Sequence, residues 1–281
     1  MANSAYLSGI NLDALMVNTK AATVFAAHET SLFLGGNLIP TSNVPAGSRT
    51  LQVPLMGSIT ADKITSEAAT GVDLDAKLPS DTKKTIDVDL YAARSVVRDL
   101  GGVDTNDIGR ILGEGVSASF DADVMNPIGD LTAQEITDTD GELDMDEIFK
   151  AIGTIRSAGE TGQLFGVIGA GTYGEFMSNV GSNSAMAGGD FQTEALRNGF
   201  MGTIAGVQFF VSSYFDATNT GVTGAKAAIF GRDAMRIALQ KDIDLEVERR
   251  AAAVGFDVVA SLHAGVGLVD ANRGVIIANG A

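Results

Sequence analysis

A strand running almost directly into one long amphipathic helix, between Lys83 and Pro127, constrains this chain more than any other feature. Thr85, Ile86, Asp87, Val88, Asp89 and Leu90 alternate polar and apolar, the period of a strand with one covered face. Its candidate partner is Arg49 to Met56. Between the two lies a polar stretch, Gly57 to Ser80, holding Gly71, Pro79, four acids and two lysines. A two-stranded ribbon is at best marginally stable alone in water, and a structureless connection of this length counts against a compact domain. The hairpin must therefore lean on something outside its own domain, and a neighbouring copy of the chain is the simplest supplier.

The helix that follows Gly101 and Gly102 takes Asp104 as N-cap and Asp107 in its first turn, with Pro127 beyond its end. Ile108, Ile111, Leu112, Gly115, Val116, Ser119 and Phe120 recur at the spacing of one buried face. Gly113 and Gly115 each cost about 1 kcal/mol relative to alanine in a helix interior, so another element is expected to pack closely over them.

Upstream, Met1 to Thr41 reads as an arm: a short helix within Ala21 to Leu34, stopped by Gly35 and Gly36, then extended chain through Pro40 and Pro45. Downstream, Met145, Ile148, Phe149, Ile152 and Ile155 mark a helix face after the acidic run Asp138 to Asp146. An apolar strand, Leu164 to Ile168, precedes a glycine-rich loop around a short helix at Tyr173 to Val180. Thr203 to Val211 has the look of two strands joined by a tight turn at Gly206. Strand periodicity returns at Ile243 to Val247, Phe256 to Leu262 and Gly274 to Ala278.

Composition excludes several functions. With 35 acidic and 19 basic residues the net charge is −16, which opposes binding to a phosphate backbone. No cysteine is present, so thiolate metal sites, disulfides and cysteine nucleophiles are ruled out. No window approaches the roughly 18 apolar residues of a membrane span, and Met1 to Ile10 carries no leader-like run. A soluble protein made in a cytoplasm is expected.

Two motifs touch on chemistry. Gly169-Ala170-Gly171-Thr172-Tyr173-Gly174 matches the dinucleotide fingerprint, whose glycines admit a pyrophosphate at a helix N-terminus. Its helix spans only about two turns by pattern, and the one acid at the required distance, Asp190, sits in a glycine loop. Chance is the stronger explanation in a chain with 34 glycines. Asp138, Asp140, Gly141 and Glu147 resemble a calcium loop, but Ile136 stands where the first ligand belongs. An acidic helix start is the better reading. His28 and His263 have no partner nearby in sequence, and no nucleophile elbow, P-loop or paired-histidine zinc motif occurs. No catalytic, cofactor or metal residue is assigned.

Arm, polar hairpin, long helix, glycine-rich α/β segment and returning strands come in an order that resembles the major capsid proteins of tailed phages. Their α+β fold was first seen in coliphage Hong Kong 97. The likeness is carried by Lys84 to Met125, by Arg197 to Val207 followed by Ser212-Ser213, and by Ala228-Ile229-Phe230-Gly231. It implies an N-terminal arm (1–47), an extended loop (48–98), a peripheral domain with a spine helix (99–142), an axial domain (143–230) and a return to the peripheral domain (231–281).

That resemblance implies a structural subunit of an icosahedral head, made of hexamers and pentamers and enclosing double-stranded DNA. Inter-subunit contacts are expected at Leu32, Phe33, Leu51, Val53, Ile86, Val88 and Leu90. The arm is too short and too uncharged to act as a built-in scaffold, so a separate scaffolding protein is expected, with a portal and decoration proteins as further partners. Assembly would take place in the host bacterial cytoplasm and the product would be the virion. Lys63, Lys77, Lys83 and Lys84 lie in the hairpin region, but nothing selects one for a covalent cross-link. Two other readings stand beside it: an NAD-binding oxidoreductase using Gly169 to Gly174, and an encapsulin-type nanocompartment shell on the same fold.

Overall fold

A computed structural model describes residues 19–28, 31–35, 38–57, 59, 61, 77–98, 105–131, 136–138, 141–182, 203–250, 252 and 254–279. Among the described residues, four helices longer than one turn and twelve strands position everything discussed below. The described part of helix α1 is residues 19–28. Strands β1 (Thr41–Asn43), β2 (Thr50–Met56), β3 (Asp81–Asp87) and β4 (Asp89–Arg98) lead to α2 (Thr105–Gly129). Then come β5 (Ile136–Asp138), α3 (Met145–Ser157), β6 (Leu164–Gly169), α4 (Ala170–Ser182), β7 (Thr203–Ile204) and β8 (Val207–Ser212). A one-turn helix, Ala217–Thr220, precedes β9 (Ala225–Gly231), β10 (Met235–Arg250), β11 (Gly255–Leu268) and β12 (Gly274–Asn279).

The strands form three sheets: β1-β10-β11-β4, β5-β12-β9-β6-β8-β7, and the hairpin β2-β3. In the six-stranded sheet, alternate residues of each central strand enter different cores. Phe165, Val167, Ala228, Phe230 and Ile276 join the core shared with α2. Leu164, Ile168, Ala227, Ile229, Val275 and Ile277 join the core that includes Ile148, Ala151 and Ile155 of α3 and Phe176 of α4. Strands covered on both faces read as continuous apolar runs, which is why Leu164 to Gly169 and Gly274 to Ala278 lack alternation. The β7–β8 connection is the expected tight turn: Ala205 and Gly206 both have positive φ, 50° and 85°, as a two-residue hairpin turn requires.

The four-stranded sheet alternates instead. Val258, Ala260, Leu262 and Ala264 of β11 are buried on the face toward α2. On β4, Tyr91, Ala93 and Val97 are partly buried on that face while Leu90, Ala92, Arg94 and Val96 stand exposed on the other. Tyr91 ties β4 to α2 twice, by an edge-to-face contact with Phe120 at 5.6 Å and by donating a hydrogen bond to Asp123. Burial pushes its phenol pKa up.

Several expectations change. The segment Thr85 to Leu90 is two strands meeting at Val88, whose N–H donates to the Arg49 carbonyl at 2.8 Å. Only β2 and β3 form the hairpin, with Thr50 opposite Asp87 and Met56 opposite Asp81; β4 leaves it to pair with β11. The last strand, β12, pairs with β9 in the six-stranded sheet rather than returning to the four-stranded one. Pro127 lies inside α2, not beyond it. A helical proline forfeits a backbone bond to the residue four before it, but Met125, Ile128 and Leu131 are fully buried and hold the last turn in place. Asp104 is outside the described residues. Helix α4 is 13 residues long, well beyond the two turns expected. In α3 the buried row is Ile148, Ala151 and Ile155, and Phe149 is half-exposed.

The buried face of α2 is also rotated from the expected one. Ile108, Leu112, Val116 and Phe120 are buried, but Ile111, Gly115 and Ser119 are exposed. The difference arises because a second side of α2, from Gly109 through Gly113 and Ser117 to Asp121, is covered by the arm. A Cβ on Gly113 would lie 2.4 Å from the Thr23 carbonyl oxygen, so here the expected close packing holds. At Gly115 it does not, since a Cβ there would meet nothing within 4 Å.

Candidate assembly surfaces

The residues expected at subunit contacts fall into three sets. Phe33, Ile86 and Val88 are buried inside the single chain, Phe33 in the core under α2 and the other two in a small core with Val44, Ala238 and Val269. Leu32, Leu51 and Val53 are partly buried against the same two cores. The base of the hairpin therefore finds its cover at home. Gly265 and Gly267 of β11 make this fit: a Cβ on Gly265 would sit 1.8 Å from the Asp87 carbonyl oxygen, and one on Gly267 would sit 2.7 Å from the Ile86 side chain. The sequence shows two glycines in an apolar strand, but which element crosses over them is set by the fold and periodicity does not reveal it.

Leu90 differs from the other six. It is 62% exposed at the start of β4, on the face of the four-stranded sheet turned away from α2. Val96 is exposed on the same face, and between them Arg94 and Asp257 form a two-pronged ion pair, Nε to Oδ1 at 2.7 Å. Arg94 holds the Asp257 carboxyl below the usual range. Glu246 and Glu248 stand exposed on the neighbouring β10. Beyond the hairpin strands, Leu78 is 91% exposed and Ile59 is also exposed; neither was singled out from the sequence, because isolated apolar residues in a polar stretch carry no period.

The chemistry-bearing motifs resolve differently. Gly169 ends β6 and α4 follows at once, with β8 parallel to β6, so the strand–helix–strand context exists. However, the Phe215 carbonyl oxygen lies 2.8 Å from where a Gly169 Cβ would be, so the chain's own backbone fills the close-approach position of the first glycine. On its other side β6 pairs antiparallel with β9, unlike a doubly wound parallel sheet. Asp190, the acid at the spacing of the fingerprint, falls in 183–202, outside the described residues. Asp138 ends β5 opposite Asn279, and the Glu147 carboxylate accepts from the Asp144 N–H at 3.0 Å, the reciprocal half of a capping box. Among the described residues no group of three metal-ligating side chains gathers. His28 stands 3.4 Å from Asp242, and His263 stands 3.3 Å from Gln240. Among the described residues no helix is long and apolar enough to cross a membrane.

No protein-family model and no curated protein matches this sequence. Solved structures do. The capsid of cyanophage P-SCSP1u matches with a TM-score of 0.66 over 88% of both chains at 14% identity. The mature capsid of bacteriophage PhiM1 matches at 0.65, covering 89% of this chain and 87% of that one at 17% identity. A virus-like particle from Pyrococcus furiosus matches at 0.63, covering 93% and 98% at 11% identity. With the spine helix, the crossing hairpin and the two main sheets in place, the chain has the α+β, Hong Kong 97-like fold found in phage capsids.

Proposed function

We propose that this chain is the structural subunit of an icosahedral phage head, assembling through hexamers and pentamers into a shell that encloses double-stranded DNA. The fold's match to phage capsids over nearly nine-tenths of the chain carries the reading. In it, β2 and β3 are the extended loop, α2 with the four-stranded sheet is the peripheral domain, and the six-stranded sheet with α3 and α4 is the axial domain. The subunit contacts fall on Leu90 and Val96, on Ile59 and Leu78, and on the partly buried Leu51 and Val53. An apolar side chain left in water on an otherwise charged face gains free energy when a neighbour covers it. The net charge of −16 suits a wall that holds DNA without gripping it. The role is structural rather than catalytic, the product is a virion, and a separate scaffolding protein, a portal and decoration proteins complete it.

Expressing the chain alone and with its genomic neighbours tests the reading. Irregular or mixed particles alone, made uniform by one co-expressed partner, are expected. Uniform shells from the chain alone would remove the scaffold from the account. Shells that retain a co-purifying enzyme in place of nucleic acid would move it to the nanocompartment reading.

A further inference from the structure

We infer that α1 is a detachable strap on α2, held there by a buried polar latch and surface ion pairs more than by burial of large apolar side chains. The inference does not depend on the shell reading. The two helices run side by side in the same direction: Thr19 touches Gly109, Thr23 touches Gly113, and Ser31 reaches Asp121. Small residues at four-residue spacing on both sides bring the backbones together, and a Cβ on Gly109 would stand 2.8 Å from the Thr19 carbonyl oxygen.

The side chains that α1 buries fully are Thr19, Thr23, Ala26 and Ala27; Ala27 and the partly buried Val24 touch the main core, while its largest, Phe25, is 68% exposed. The apolar area exposed when α1 lifts is therefore mainly that of two alanines and one partly buried valine, with no large side chain among them. The chain just beyond is built in the opposite way, with Phe33, Leu34, Leu38 and Ile39 all in the core. Between strap and anchor sits the latch. Asp121 of α2 is 4% exposed and accepts hydrogen bonds from Ser31 Oγ at 2.6 Å and from the Leu32 N–H at 2.9 Å. The outer side of α1 is tied to the irregular stretch of β10, Lys20 to Asp244 and His28 to Asp242. Asp244 is shared with Lys241 at 2.9 Å. Lifting α1 uncovers the glycine row of α2 and leaves both sheets intact, so α2 can exchange this neighbour for another without unfolding.

Hydrogen exchange of the full chain, read by mass spectrometry, tests this. Amides of residues 19–28 are expected to exchange at least about tenfold faster than those of α2 and β6. Lys20→Gln, a surface change, or Asp244→Asn, at a partly buried residue, should raise the rate in 19–28 by about a further two- to fivefold and leave α2 and β6 unchanged, the range an exposed ion pair supports. Asp121→Ala should raise it most. Protection of 19–28 equal to that of α2, or ion-pair variants that speed exchange across the whole chain, would overturn the proposal.

Discussion

The two main sheets of this molecule differ in how much of themselves they cover. Strands β12, β9 and β6 of the six-stranded sheet are buried on both faces, between the core under α3 and α4 and the core shared with α2. The four-stranded sheet has α2 on one face only. Its other face is covered at one end by the hairpin base and carries exposed Leu90, Val96, Arg94 and the acids of β10 over the rest. One half of the protein is finished within the single chain. The other keeps a charged face with apolar islands, and an assembly built from copies of this chain needs such a surface.

The largest expected effect lies in the finished half. Phe230 is fully buried on β9, so Phe230→Ala should cost about 3 to 5 kcal/mol of stability in denaturant unfolding. A cost under about 1 kcal/mol would show that this sheet is not the stable half. Next comes the seat of the hairpin. Gly265→Ala forces a Cβ against the Asp87 carbonyl, and backbone cannot step aside as a side chain can. It should cost about 1 to 3 kcal/mol and loosen amides of β3 before those of β6 in hydrogen exchange; uniform loosening would break the comparison. A change of opposite sign is expected at Gly115, where Gly115→Ala meets open space and should stabilise α2 by up to about 1 kcal/mol. The smallest effect on folding belongs to Leu90→Asp. Its thermal midpoint should correspond to a change within about 0.5 kcal/mol of wild type, while light scattering finds the large particles gone. Particles of unchanged mass would remove Leu90 from the contacts.

The sequence announced the covered sheet and the long helix more clearly than their surroundings. Leu164 to Ile168 and Gly274 to Ala278 are apolar runs because both faces are buried, and such runs announce themselves in one dimension. Ile108, Leu112, Val116 and Phe120 were legible by the same reasoning, since burial of one side fixes a helical period. Ile111 misled because its neighbours in the chain share that period while α1, which sets the other buried side, is distant in sequence. The close contacts of Gly109, Gly265 and Gly267 depend on which backbone arrives from elsewhere, and composition holds no trace of that. The contact residues show the same limit. Ile86, Val88 and Phe33 have the pattern of residues awaiting a partner, but the partner for their side chains lies within the chain. Leu78 and Ile59 have no pattern at all, yet they are left in water.

Negative-stain electron microscopy of the purified protein over a range of concentration and salt bears most directly on the claim that this is a shell subunit. The account predicts closed shells, tubes, or ring-shaped hexamers and pentamers, with Leu90→Asp giving none of them. A monodisperse monomer or dimer under every condition, unchanged by any co-expressed partner, would contradict it.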